Sequence, residues 1–291
     1  IKNFSFDKLS FSLSGGFDSR FLLALMYSKA KLKWDVHSFG DSNHPDNIIA
    51  SKLAKINNIP YSNYQYVNNN DSNIIPQLED YIKKTYCTAP VSEYLHKIHY
   101  FYFYDKKKIV IDGGFGEIIR RALFNRIIYY CRNDILNKNY QSVHKNLLYL
   151  KADIFSEDFI EEMKIKSISM IERVFSNLHI DDIGIENALD LLAIQSKITN
   201  YCGIEQSRLD NFSICYTPFS QNDFLNLAFN IDLKDKINAK IVKKIIRELD
   251  PIITKLPLVK GNTTVPYHLS TFQQKGIIKL KNAFGFYYQD D

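Results

Sequence analysis

The rhythm of apolar positions changes along the chain. Residues 9–14 read L-S-F-S-L-S, the period of two that a strand requires, and residues 18–31 then carry Phe21, Leu22, Leu25 and Met26 at helical spacing. A second strand is expected over 34–40 and a second helix over 45–57, where Pro45 suits the first turn and Ile48, Ile49, Leu53 and Ile56 share one face. A third strand follows at 61–67 and helices at 74–86 and 91–104. At 108–112 comes a fourth strand, whose Lys-Ile-Val-Ile run is apolar enough to be buried. Strands alternating with helices predict an α/β fold, a parallel sheet with helices on both faces.

After Phe115 the helical period takes over, at 117–131, 158–178, 186–201, 221–229 and 240–249. The chain therefore reads as an α/β core over residues 1–132 followed by a mainly helical second half over 133–291, packed onto the sheet. No internal repeat and no low-complexity linker separates the two.

Composition narrows the class. With 291 residues, 45% hydrophobic and 24% charged, the chain has enough apolar mass for a sizeable core. Abundant aromatic residues, few glycines and prolines, and no apolar run of about 18 residues exclude a disordered chain, a collagen-like chain and an integral membrane protein. No basic segment followed by an apolar stretch opens the sequence, so no secretory signal is read and a cytoplasmic location is expected. Cys87, Cys131, Cys202 and Cys215 form no C-x-x-C pair, which predicts small buried side chains and no redox or metal site. The net charge of +5, from 37 basic and 32 acidic residues spread along the chain, permits an anionic ligand without indicating nucleic acid.

The chemistry concentrates in Ser14-Gly15-Gly16-Phe17-Asp18-Ser19, directly after a predicted strand and before a predicted helix. Two glycines allow close backbone approach, two serines offer hydroxyls, and the helix aims unpaired N–H groups and its positive dipole end at whatever occupies the turn. Such a turn cradles pyrophosphate. No G-K-[ST] closes it, so it is not a Walker A loop. The run resembles the PP-loop of the N-type ATP pyrophosphatases, which cleave ATP between the α and β phosphates and adenylate a substrate. That resemblance implies ATP and Mg2+ as cofactors, with Ser14, Gly15, Gly16 and Ser19 on the pyrophosphate and Asp18 on the metal. It also implies an adenine nucleotide alpha hydrolase-like fold, with Gly40 at the end of the second strand near the adenine.

A second glycine cluster, Asp112-Gly113-Gly114-Phe115-Gly116-Glu117, again follows a predicted strand and is expected to precede a helix. Five of the 11 glycines thus fall in two turns at strand C-termini, the edge where open α/β sheets bind ligands. The cluster is similar to the S-G-E-G-S-D-E segment of the asparagine synthetase family's synthetase domain, which includes the β-lactam synthetases. Thr88-Ala89-Pro90, the stretch from Gly203 to Phe219, and Lys240 to Arg247 with Leu256-Pro257 and Lys260-Gly261 resemble further segments of that family in the same order. The resemblance implies an amide-forming ligase that adenylates a small-molecule or peptide carboxylate and releases pyrophosphate, after which ammonia or an amine attacks. It implies Lys260 at the α-phosphate or acyl-adenylate, Gly113 and Gly114 at the nucleotide, Glu117 as a second Mg2+ ligand, and Asp112 as a ligand or base.

The sequence departs from the family in several places. Gly114 stands where the family carries a Glu or Tyr in a base-like role, Ile118 replaces a Glu, and Arg120 and Arg121 replace small residues, facing either phosphate or the carboxylate substrate from the expected helix. The glutamine-dependent members begin with a cysteine that releases ammonia, whereas this sequence begins at Ile1. Nitrogen then comes from ammonia, an amine or a separate glutaminase, or the chain is a piece of a longer protein. Two other readings share the loop: a PP-loop enzyme that modifies tRNA, and a catalytically altered nucleotide-binding subunit. Glu93 and His96 are candidates for the pocket wall, and Tyr100 to Tyr104 for core.

Overall fold

The structure is a computed structural model that describes residues 8–29, 33–65, 74–85, 103, 108–121, 124–147, 154–211 and 213–286. Five strands, β1 (Lys8–Ser12), β2 (Trp34–Phe39), β3 (Tyr61–Tyr64), β4 (Lys108–Ile111) and β5 (Ile214–Tyr216), form one sheet in the order β3-β2-β1-β4-β5. Every pairing in it is parallel. Helices α1 (Phe17–Lys29), α2 (Pro45–Ile56) and α3 (Ile74–Thr85) follow β1, β2 and β3. Pro45 opens α2, and the Nδ1 atom of the N-cap His44 accepts from the Asp46 N–H.

The two faces of the sheet bury different things. On one, Tyr81 of α3, Phe103 and Leu209 pack on Val110, with Phe39 and Tyr64 against them. His37 reaches this face too, its ring 4.5 Å from that of Phe103, and Ser10 joins it to Asp35 through contacts of 2.8 and 2.6 Å. On the other, the Ser38 and Tyr61 hydroxyls lie 2.6 Å apart and Tyr61 donates to the Asn47 carbonyl of α2. The α/β fold with helices on both faces is therefore present, with each expected strand beginning within a residue or so of its predicted start.

Two expectations about the elements fail. The helix predicted over 117–131 begins late: residues 114–121 are turns, and α4 spans Asn125–Leu136, so it covers only 125–131 of the predicted range. Phe115, Arg121 and Phe124 have φ of 72°, 48° and 51°, the left-handed region that interrupts a right-handed helix. Ile118 and Ile119 are buried in the turns themselves. The second failure is β5, which pairs with β4 yet comes from the stretch expected to be helical. Three residues are too few for a period of two to register.

The chain divides into two compact units, Ile1–Arg120 with Cys202–Asp291, and Arg121–Tyr201. This is not the expected division into 1–132 and 133–291, because the last ninety residues return to the sheet. In the first unit they contribute α8 (Gly203–Leu209), β5, α9 (Asn222–Phe229), α10 (Leu233–Lys236), α11 (Lys240–Leu249), the antiparallel hairpin β6 (Leu258–Lys260) and β7 (Thr263–Val265), and α12 (Thr271–Ala283). Helix α11 packs on α1. Gly261 and Asn262, with φ of 54° and 56°, make the two-residue hairpin turn.

The second unit is helical: α4, α5 (Tyr140–Leu147), α6 (Glu157–Ser176) and α7 (Ile180–Lys197) enclose Cys131, Ile135, Val143, Phe175, Ile185 and Leu189. Arg121 is buried there with Asp190, 3.7 Å away. Helix α7 is interrupted at Gly184, whose φ of 76° and ψ of 152° belong to glycine almost alone. No helix among the described residues is long and apolar enough to cross a membrane. Gly184→Ala is expected to destabilise the protein by about 1–3 kcal/mol through backbone strain alone, since open space surrounds the position; a urea melt with an unshifted midpoint would contradict this.

Candidate functional site

The strand order reverses between β1 and β4: the chain leaves β1 for β2 and β3 on one side, and β4 leads to β5 on the other. Ligands of open α/β sheets bind beyond the strand C-termini at such a point. The Phe11–Ile111 pairing sends the two glycine loops out side by side. Between them lies a cavity of about 300 Å³, at the lower end of small-molecule sites.

Ser14, Gly16, Asp18 and Ser19 line this cavity from the first loop and α1, and Asp112, Gly113 and Gly114 from the second. Lys260 enters from the hairpin and Arg120 from the turns after β4. Residues far apart in the chain thus converge on one cavity. The first loop folds about its two serines: the Ser19 hydroxyl donates to the Ser14 carbonyl at 3.1 Å, the Ser14 N–H donates to Ser19 Oγ at 3.3 Å, and the Gly16 N–H donates to Ser14 Oγ at 3.1 Å. In the second loop the Gly114 N–H donates to Asp112 Oδ1 at 2.5 Å.

Gly15 does not line the cavity, which corrects its assignment to pyrophosphate. Its N–H donates to Asp46 Oδ1 at 2.8 Å, and its carbonyl accepts from the Val259 N–H at 3.0 Å. A Cβ here would sit 2.3 Å from Val259 Cγ2, so glycine is needed to let β6 dock on the loop. Burial pushes the Asp46 carboxyl up, although the Gly15 N–H works the other way. Gly40 also lies outside the lining; it directly follows β2, with its N–H donating to the Tyr64 carbonyl at 2.9 Å.

Lys260 is held from behind. Its Nζ donates to Gln274 Oε1 at 2.7 Å; Gln274, only 3% exposed, donates in turn to the Leu269 carbonyl at 3.1 Å. Lys243 donates to the same carbonyl at 2.9 Å. Burial first, then the cations of Arg120 and Lys243, hold the Lys260 ammonium below the usual lysine range, while Asp18 opposes them.

The two expected metal ligands are not assembled as a pair. Both oxygens of Asp18 accept from Arg120, Oδ1 from Nε and Oδ2 from Nη2, each at 2.6 Å. Glu117 does not line the cavity. Burial works against the Arg120 charge, but the Asp18 bonds and charge, with that of Glu117, outweigh it and hold the guanidinium above its usual value. Among the described residues no group of three or more His, Cys, Asp or Glu could hold a metal. As placed, these side chains do not fit a resident Mg2+.

The residue that sequence reasoning missed is Arg20. It is fully buried, and its guanidinium donates to the carbonyls of Ile253, Leu256 and Pro257 at 3.1, 2.7 and 2.6 Å and reaches that of Gly15 at 3.5 Å. Burial lowers it to about 10, while Tyr267, whose ring it covers at 5.6 Å, raises it. A signal existed: Arg20 falls with Phe17, Phe21 and Ala24 on the buried face of α1. Asp46 and Gln274 had none, since their partners are a backbone N–H and a lysine distant in sequence. Thr88, Ala89, Pro90, Glu93 and His96 lie outside the described residues, as do Cys87 and the Tyr100–Tyr104 run apart from the buried Phe103. Cys131 is buried, and burial, then Asp210 and Asp112, pushes the half-buried Cys215 thiol up to about 12, consistent with inert side chains.

Two cations, two hydroxyls and the first turn of α1 facing one cavity make a site for an anion with several oxygens. No protein-family model matches the chain, and no curated protein matches it at a significant level.

Arg20→Met is expected to cost about 3–5 kcal/mol, the scale for stripping one partner from a buried charged cluster, because it leaves the carbonyls of residues 253–257 without their donor. Arg20→Lys, with fewer donors, should recover part of the loss. Chemical unfolding of the three proteins checks both, and a wild-type midpoint for Arg20→Met would show that the cluster is not a tie.

Proposed function

We propose that the chain binds ATP through its phosphates in this cavity and transfers AMP to a substrate carboxylate with release of pyrophosphate, so that ammonia or an amine can then form an amide. The observation that carries the reading is convergence: two glycine loops meet at the reversal point of a parallel sheet, and Lys260 joins them from a hairpin near the other end of the chain. The order of motifs that resembles the asparagine synthetase family supports it.

The chemistry asks for charge stabilisation above all. When a carboxylate oxygen attacks the α-phosphorus, the bond to the bridging oxygen breaks and negative charge accumulates on the departing pyrophosphate. Lys260 and Arg120 are cations fixed in the cavity before reaction, the first N–H groups of α1 add preorganised donors, and the Ser14 and Ser19 hydroxyls can turn from each other to the phosphates. In the amide step the nitrogen adds to the acyl carbon, the bond to AMP breaks, and the nitrogen sheds a proton. Asp112, the cavity carboxylate that accepts the Gly114 N–H while Asp18 takes the Arg120 fork, is the acceptor we assign.

Exchange of labelled pyrophosphate into ATP, measured against a panel of amino acids, sugar acids and peptides, tests the reading and identifies the acceptor. Exchange is expected with one class of carboxylate. Lys260→Met should reduce it about 10²–10³-fold, the usual effect of removing one preorganised stabiliser. Because burial and the Arg120, Lys243 and Lys275 charges make Lys260 lose its proton below the usual lysine range, exchange should fall with rising pH earlier than a free lysine would dictate, and Lys260→Arg should move that limb to higher pH. ATP binding without exchange for any carboxylate would leave a nucleotide-binding subunit in place of a ligase.

A further inference from the structure

The Asp18 carboxylate is enclosed on two sides. Arg120 engages both its oxygens in a fork, with the two side chains only 18% and 21% exposed. The second loop closes another side: a Cβ on Gly116 would stand 2.7 Å from Asp18 Cβ and 2.8 Å from Oδ1. Arg120 is itself steadied over the Phe17 ring, 5.9 Å from its centre.

A bare divalent cation and a polyphosphate meet this arrangement differently. To reach Asp18 the cation must break two charge-assisted hydrogen bonds and then sit beside Arg120 and Lys260. Lys243 and Lys275 add to the repulsion, as the lowered Lys260 ammonium reports. A polyphosphate is drawn in by the same charges, and the planar guanidinium can fork onto phosphate oxygens as well as onto a carboxylate.

We propose that Arg120 is the resting partner of Asp18 and a polyphosphate ligand, so that the cavity takes up the polyphosphate anion before any divalent cation and the guanidinium passes from carboxylate to phosphate as the anion enters. The proposal rests on the ATP reading only for the identity of the anion. Asp18 thereby acts as a holder that keeps Arg120 in place until an anion competes for it.

The probes are inorganic pyrophosphate, titrated calorimetrically into metal-stripped protein, and Mn2+ alone, followed by electron paramagnetic resonance. Wild type should bind pyrophosphate without metal and Mn2+ without pyrophosphate only weakly. Arg120→Met should lose metal-free pyrophosphate affinity by a factor of about ten or more, the worth of a hydrogen bond to a charged group, and gain affinity for Mn2+. Asp18→Asn should move pyrophosphate the opposite way, to tighter binding, because the guanidinium is released; this gain cannot come from misfolding. Pyrophosphate binding that appears only when Mg2+ is added would overturn the role of Arg120 while leaving the ATP reading intact. So would an Mn2+ affinity equal in wild type and Arg120→Met. No pyrophosphate binding with or without Mg2+ would sink both.

Discussion

A fully buried guanidinium bonded to main-chain carbonyls ties the two ends of the first unit together. Arg20 sits on α1, and its Nη1 and Nη2 donate to the carbonyls of Ile253, Leu256 and Pro257, the segment that leads into the hairpin. The loop reinforces the tie from its own backbone, Val259 N–H to Gly15 carbonyl. A charge left in the interior is tolerated only when most of its hydrogens find acceptors, and Nη1 and Nη2 of Arg20 find theirs in this carbonyl segment. That placement brings Lys260 to the mouth of the glycine loops. The site is therefore a consequence of how a buried cation is solvated by main chain.

The second consequence is electrostatic. Gathering Arg120 and Lys260 in one cavity, with Lys243 and Lys275 near, is unfavourable in the absence of an anion, and Asp18 and Gln274 are what make it tolerable. One offers charge, the other a neutral acceptor that fixes direction. Cations held in fixed positions are preorganised for an anion, which is the physical content of the proposed phosphate role.

How much of this was legible depended on range. The first loop could be read because strand, glycine turn and helix are contiguous, and the parallel sheet could be read because its strands alternate with helices in sequence. The turns at 114–121 could not, since Phe115 and Arg121 adopt left-handed backbone that no local pattern announces. Strand β5 was invisible for a different reason: three residues gain their conformation from pairing with β4, not from their own propensity. Gly15 looked like a phosphate residue and is a docking residue, because what a glycine accommodates is decided by the neighbour that approaches it.

By itself, the sequence determined the α/β class and the two glycine loops at strand ends, because each is set by local periodicity or by a contiguous run; the candidate status of Asp18, Asp112 and Lys260 came from the resemblance of their segments to a known family. Only the tertiary structure decided that those loops are neighbours, that Arg20 anchors the hairpin bearing Lys260, and that Arg120 occupies the carboxylate expected to hold a metal. These depend on strand order and on contacts between residues a hundred or more positions apart, and pairwise electrostatics at that separation leaves no periodic trace in the chain.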